Sequence, residues 1–187
     1  MNSQNNLLAI LEELSSDAQH IDMLELTAVE KLIDQANRVF LAGAGRSGFV
    51  ARGFSNRLMH LGYQSYFVGE PTTPSIQKGD LLIIGSGSGE TDSLVSMAKK
   101  AREQGATIAT LTIFPENTIG SLASAHIVIP GVTSKVVKDG IKAASIQPKG
   151  SSFEQLCWLI YDSMIIDLKK KTGQTDEDMF ARHANLE

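Results

Sequence analysis

Apolar residues recur every three or four positions from Leu7 to Leu14 and again from Met23 to Ile33, so residues 5–36 predict two amphipathic helices ahead of any strand. From Arg38 onward the pattern changes. Compact runs rich in Val, Ile and Leu alternate with helical stretches: RVFLAG, a helix over 46–61, QSYFV, a turn GEPTTPSIQKGD, LLIIGS, a helix over 89–104, ATIATLTI, a short helix over 118–124, and HIVIP. Short continuous apolar strands, most of them joined by helices, are the pattern of a parallel sheet covered on both faces. The chain therefore predicts an α/β, doubly wound fold around five parallel strands.

Residues 131–149 then read as a basic loop, followed by a helix from about Ser151 to Lys171, a short helix, and the tail ARHANLE. The long helix is apolar over most of its circumference, and such a helix must be buried on several sides. In a chain of 187 residues, that predicts Phe153, Leu156, Trp158, Leu159, Met164, Ile165 and Leu168 packing partly against another subunit. One domain is expected over 1–187, with 1–36 as a helical arm, 37–131 as the sheet core, and 150–187 as the C-terminal helices and tail.

The formal net charge is -4, with Lys and Arg scattered rather than striped, which argues against a nucleic-acid partner. Any anionic ligand must be held by local groups. The single cysteine, Cys157, lies in an apolar helical run and reads as a core residue of a reduced, cytoplasmic protein. The N-terminus lacks the basic and apolar regions of a signal peptide, and no apolar run is long enough to span a bilayer, so no membrane association is expected.

The candidate chemistry lies in two loops at strand ends. Gly43-Ala44-Gly45-Arg46-Ser47-Gly48 matches the dinucleotide fingerprint G-x-G-x-x-G, and Glu70, 22 positions past Gly48, stands where an acid would meet a ribose. The second loop, Gly85-Ser86-Gly87-Ser88-Gly89-Glu90-Thr91, favours another reading. A phosphate ester offers only acceptors, and this loop interleaves hydroxyl donors with glycines that let the backbone approach, just before a helix N-terminus. Glu90 would repel a phosphate, so a favourable interaction with the helix dipole suits it better. Arg46 is placed to pair with Glu90 or to reach a substrate hydroxyl. The four histidines, His20, His60, His126 and His183, are scattered without ligand-like spacing, and no metal is expected.

With GAGRSG and GSGSGET joined by QPKGSSFEQ and the terminal RHANLE, the chain resembles the sugar isomerase (SIS) domain family and, within it, the 6-phospho-3-hexuloisomerases of the ribulose monophosphate pathway. The first two motifs mark SIS domains generally; the last two point to this enzyme group. The resemblance implies a flavodoxin-like SIS fold and a cofactor-free isomerase that interconverts D-arabino-hex-3-ulose 6-phosphate and D-fructose 6-phosphate through an enediol. It implies a substrate contact at Ser47, with Arg46 beside it, and phosphate binding by Ser86, Gly87, Ser88, Gly89, Glu90 and Thr91. Glu154 is implied as the general base, with His183 as a further catalytic candidate. A homotetramer is implied as well, coupled functionally to 3-hexulose-6-phosphate synthase in formaldehyde assimilation or pentose supply. Two rivals share the loops: an arabinose 5-phosphate type isomerase and a non-catalytic phosphosugar-binding module. Glu154 also stands three residues past Ser151, as in an S-x-x-E capping box, so a purely structural role stays open.

Overall fold

The computed structural model describes residues 3–131 and 145–186. Most of the stretch read as a basic loop, 132–144, lies outside the described residues. The elements are α1 (Ser3–Ala18), α2 (Met23–Gln35), β1 (Val39–Gly43), α3 (Gly45–His60), β2 (Ser65–Phe67), β3 (Leu81–Gly85), α4 (Asp92–Glu103), β4 (Thr107–Thr112), α5 (Thr118–Leu122), β5 (Ala125–Val128), α6 (Ser151–Thr172) and α7 (Asp176–Ala181). The five strands pair in parallel in the order β2-β1-β3-β4-β5.

Strand alternation sorts the core into two layers, because successive side chains leave opposite faces of the sheet. Val39, Leu41, Leu81, Ile83, Leu111 and Ile127 point toward Leu26, Val29 and Ile33 of α2, Phe54 and Leu58 of α3, and the buried stripe of α6. Phe40, Ala42, Leu82, Ile84 and Ile108 face α4 and α5 through Leu94, Ala98, Ala101 and Ile119. The doubly wound expectation holds. Within α6, Phe153, Leu156, Met164, Ile165 and Leu168 are buried inside the chain, whereas Trp158 and Leu159 of the same expected set stay exposed.

The chain runs from β1 through α3 to β2 at one edge, then returns to place β3 on the other side of β1. This reversal opens a crevice at the carboxyl ends of β1 and β3, where open α/β sheets bind ligands. Gly43 and Gly85, the last residues of those strands, are direct partners in the ladder. Both Gly-rich loops therefore leave the sheet side by side.

Candidate active site

The first loop is a close approach of backbone to backbone. A Cβ on Gly43 would lie 2.9 Å from the Cα of Gly48, and one on Gly48 would lie 2.7 Å from the carbonyl oxygen of Gly43. Gly45 has φ 57°, in the region that glycine enters without strain. These glycines let α3 start directly against the end of β1. Ser47, in the first turn of α3, faces the crevice.

The second loop presents donors. Ser86 and Ser88 are 4% exposed and line the crevice with Gly85, Gly87 and Thr91. Among the described residues the N–H groups of Gly87 and Ser88 donate to no acceptor, and such donors at a strand end suit an anion. Its outer side is braced: Asn117 Nδ2 donates to the Ser88 carbonyl at 2.8 Å, and the Ile119 N–H to the Gly89 carbonyl at 3.1 Å. The expected helix start at residue 89 moves to Asp92, because Gly89 takes φ 65° and closes a turn with its N–H on the Ser86 carbonyl. Glu90 does not serve α4; its Oε1 accepts the Thr118 N–H at 2.6 Å, at the start of α5.

The third wall is the start of α6. Gly150, in the left-handed region at φ 93°, is the N-cap and carries no side-chain cap, so Ser151 and Glu154 form no capping box. The Glu154 carboxylate instead accepts from Arg46 Nε, across 108 positions of sequence. This corrects the pairing of Arg46 with Glu90. Glu154 is 17% exposed while Arg46 is 67% exposed, so the guanidinium covers the carboxylate from the solvent side. The bonded carboxylate in turn holds the guanidinium above its ordinary pKa.

These walls enclose a cleft of about 160 Å³, several times the volume of a water molecule. The first turns of α3, α4 and α6 all border it, through Ser47, Leu94 and Glu154. Three helix N-termini give the cleft a positive end-field that suits a dianion. Lys149 adds a cation that sequence reasoning had not placed in the site. A lone lysine before a glycine carries no signal of its own; its role comes from Gly150 turning α6 toward the loops. Ser47, Ser86, Gly87, Ser88, Thr91 and Glu154 are thus brought together, Arg46 adjoins them through Glu154, and Gly89 and Glu90 serve the bracing.

His183 is not brought to this cleft within the chain. It stacks on His60 with ring centroids 5.0 Å apart, in a second cavity between α3 and α6 that Arg57, Trp158 and Asp162 also line. Burial, then the neighbouring His183 and Arg57, push the His60 imidazole below its ordinary pKa. Cys157 is buried, and burial followed by the Glu154 charge drives its thiol pKa well up, against a nucleophilic role. Among the described residues no group of three His, Cys, Asp or Glu side chains gathers as a metal set, and no helix is long and apolar enough to cross a membrane.

Residues 32–147 match the SIS domain family. The whole chain is 44% identical over 187 residues to a 3-hexulose-6-phosphate isomerase of Bacillus subtilis (strain 168), covering 100% of both proteins. It is 38% identical to the 3-hexulose-6-phosphate isomerase of Mycobacterium gastri, over 98% of this chain and 90% of that protein. Among solved structures, a hypothetical protein of Methanococcus jannaschii, for which a 3-hexulose-6-phosphate isomerase function was inferred, superposes with a TM-score of 0.78 at 34% identity, over 98% of this chain and 96% of that one.

Proposed function

The chain belongs to the SIS domain family, and from that premise we propose that it interconverts D-arabino-hex-3-ulose 6-phosphate and D-fructose 6-phosphate. One observation carries the reading: a phosphate-shaped set of donors and helix N-termini shares its cleft with the carboxylate of Glu154. The phosphate is held by the loop from Ser86 to Thr91 and the field of α4, and Ser47 contacts the sugar.

Glu154 takes the proton from C2 of the hexulose, and the electron pair of that C–H bond forms the C2–C3 double bond of an enediolate whose charge rests on O3. Return of the proton to C3, with loss of the O2 proton and gain of one at O3, leaves the carbonyl at C2. Proton transfers suffice, so no redox cofactor or metal enters the chemistry. Arg46 is placed to hold the carboxylate on the cleft side and to meet developing negative charge on the substrate oxygens.

Assembly and context complete the reading. Phe49, Trp158, Leu159 and Ile166 are 70%, 47%, 52% and 56% exposed on α3 and α6, which supports a homotetramer that buries them. Such an assembly is the setting for a catalytic role of His183. A cytoplasmic enzyme coupled to 3-hexulose-6-phosphate synthase in formaldehyde assimilation fits this activity. The test supplies fructose 6-phosphate and couples the reverse reaction to that synthase; formaldehyde release supports the reading, and its absence with a competent synthase removes it. Light scattering of Trp158→Glu checks the assembly, with smaller or aggregated species and lost activity expected.

A further inference from the structure

The cleft has to hold two anions side by side, the carboxylate of Glu154 and the phosphate of a substrate. Serine hydroxyls, backbone N–H groups and helix N-termini meet a phosphate with partial charges only. The chain as a whole carries a net charge of -4, so no surplus of positive charge elsewhere offsets the repulsion between the two. Among the described residues, the cationic side chains at this place are Lys149, which lines the cleft, and Arg46, which adjoins it through Glu154.

Arg46 is already engaged, with its Nε donating to Glu154 Oε2. The other carboxylate oxygen, Oε1, is 3.9 Å from where a Cβ on Gly150 would stand, so the carboxylate rests beside the corner at which α6 begins. Lys149 immediately precedes that corner. Yet its ammonium does not join the carboxylate, and among the described residues its exposed side chain makes no hydrogen bond or ion pair. The start of α6 also lies against the donor loop: Phe153 Cδ1 is 3.4 Å from a Cβ built on Gly87. Lys149 therefore stands between the carboxylate and the phosphate donors, on a flexible stem whose ammonium is a compact point charge with three donors. The planar guanidinium suits the carboxylate, and the ammonium suits a phosphate.

We propose that Lys149 is a substrate-binding residue whose ammonium pairs with the phosphate dianion, so that each anion of the occupied cleft has its own cation, Arg46 for Glu154 and Lys149 for the phosphate. That the phosphate belongs to a hexulose rests on the isomerase reading; the pairing with a phosphate does not. The division also spares Glu154 a second neighbouring cation, which would weaken it as a base.

Lys149→Met keeps the stem and removes the charge, whereas Lys149→Arg keeps the charge. Isothermal titration with inorganic phosphate, and then with fructose 6-phosphate, measures binding without turnover. The Met variant should bind both about 10-fold more weakly, as expected for one lost charge-assisted hydrogen bond, and the Arg variant should bind close to the parent. Melting temperatures without ligand should agree among all three proteins, because the lysine has no partner among the described residues. Raising NaCl from about 0.05 to 0.5 M should weaken fructose 6-phosphate binding more in the parent than in the Met variant, since screening acts on a charge pair that the variant lacks. A lysine that only shaped the corner would leave the salt dependence unchanged. In the isomerase assay, KM should rise while kcat stays within about 2-fold of the parent, the sign of a lost binding contact. Parent-like affinity for both anions in the Met variant, an Arg variant as weak as the Met variant, or equal salt dependence overturns the proposal. A fall in kcat at unchanged KM also overturns it, by moving the ammonium to the reacting oxygens. A parent that binds phosphate but does not isomerise removes the isomerase reading and leaves the calorimetric comparison to decide on Lys149.

Discussion

The two Gly-rich loops leave the sheet from paired residues, yet their glycines do opposite things. In the first, Gly43 and Gly48 exist for a contact: backbone meets backbone at distances that no Cβ survives. In the second, the atoms nearest a Cβ on Gly87 belong to the side chains of Ile113 and Phe153, at 3.4 Å, and Ser86 and Ser88 line the cleft beside it. One loop fixes where a helix begins, and the other presents donors. A glycine motif thus has no single meaning, and the atoms that a Cβ would strike decide between scaffold and site.

The largest effect should come from neither loop but from the group opposite them. Glu154→Gln keeps the shape and an acceptor for Arg46 but removes the base, so turnover should fall about 10²- to 10⁴-fold with substrate affinity and melting temperature retained. The readout is deuterium from solvent appearing at C3 of fructose 6-phosphate. Normal turnover and normal label uptake in this variant would take the chemistry away from α6.

The comparison of the loops is broken or kept by a pair of alanines. Gly48→Ala forces two backbone segments apart and should destabilise the protein by about 1–3 kcal/mol, lowering the melting temperature by several degrees. Gly87→Ala should melt near the parent and instead raise KM, because its methyl crowds the anion. Equally lowered melting temperatures for the two would show that both loops are scaffold, and two parent-like ones that neither is.

The smallest effects sharpen the division within the second loop. Ser88→Ala should weaken sugar-phosphate binding by about 1–3 kcal/mol if its hydroxyl serves a charged ligand. Glu90→Gln changes the acceptor at the start of α5, so titration should find unchanged binding and a stability loss of about 0.5–1 kcal/mol. A rise in KM for the glutamine variant would return Glu90 to the substrate.

The expected elements, strand by strand, were legible because apolar periodicity and strand-end glycines are local signals. RVFLAG, LLIIGS and ATIATLTI contain β1, β3 and β4, and the helix expected from Ser151 is α6. The misplaced start of α4 has a local cause too: Gly89 in the left-handed region keeps three more residues in the loop. The partners of the charged side chains were a different matter. Arg46 and Glu90 follow neighbouring strands, but Arg46 pairs with Glu154 and Glu90 with the Thr118 N–H.

The amino-acid sequence by itself determined the doubly wound sheet and the two donor-bearing strand ends, and the resemblance of QPKGSSFEQ pointed to Glu154 as the candidate base. Those follow from residue spacing and side-chain chemistry within about twenty positions, where the chain has few ways to arrange itself. Only the tertiary structure decided that Gly150 turns α6 toward the loops, that Lys149 joins the cleft, that Arg46 covers Glu154, and that His183 lies against His60 in a different cavity. The Arg46–Glu154 pair joins residues 108 positions apart, and the other contacts likewise join distant segments. Their partners are chosen by which elements the strand order sets side by side, and spacing along the chain does not encode that.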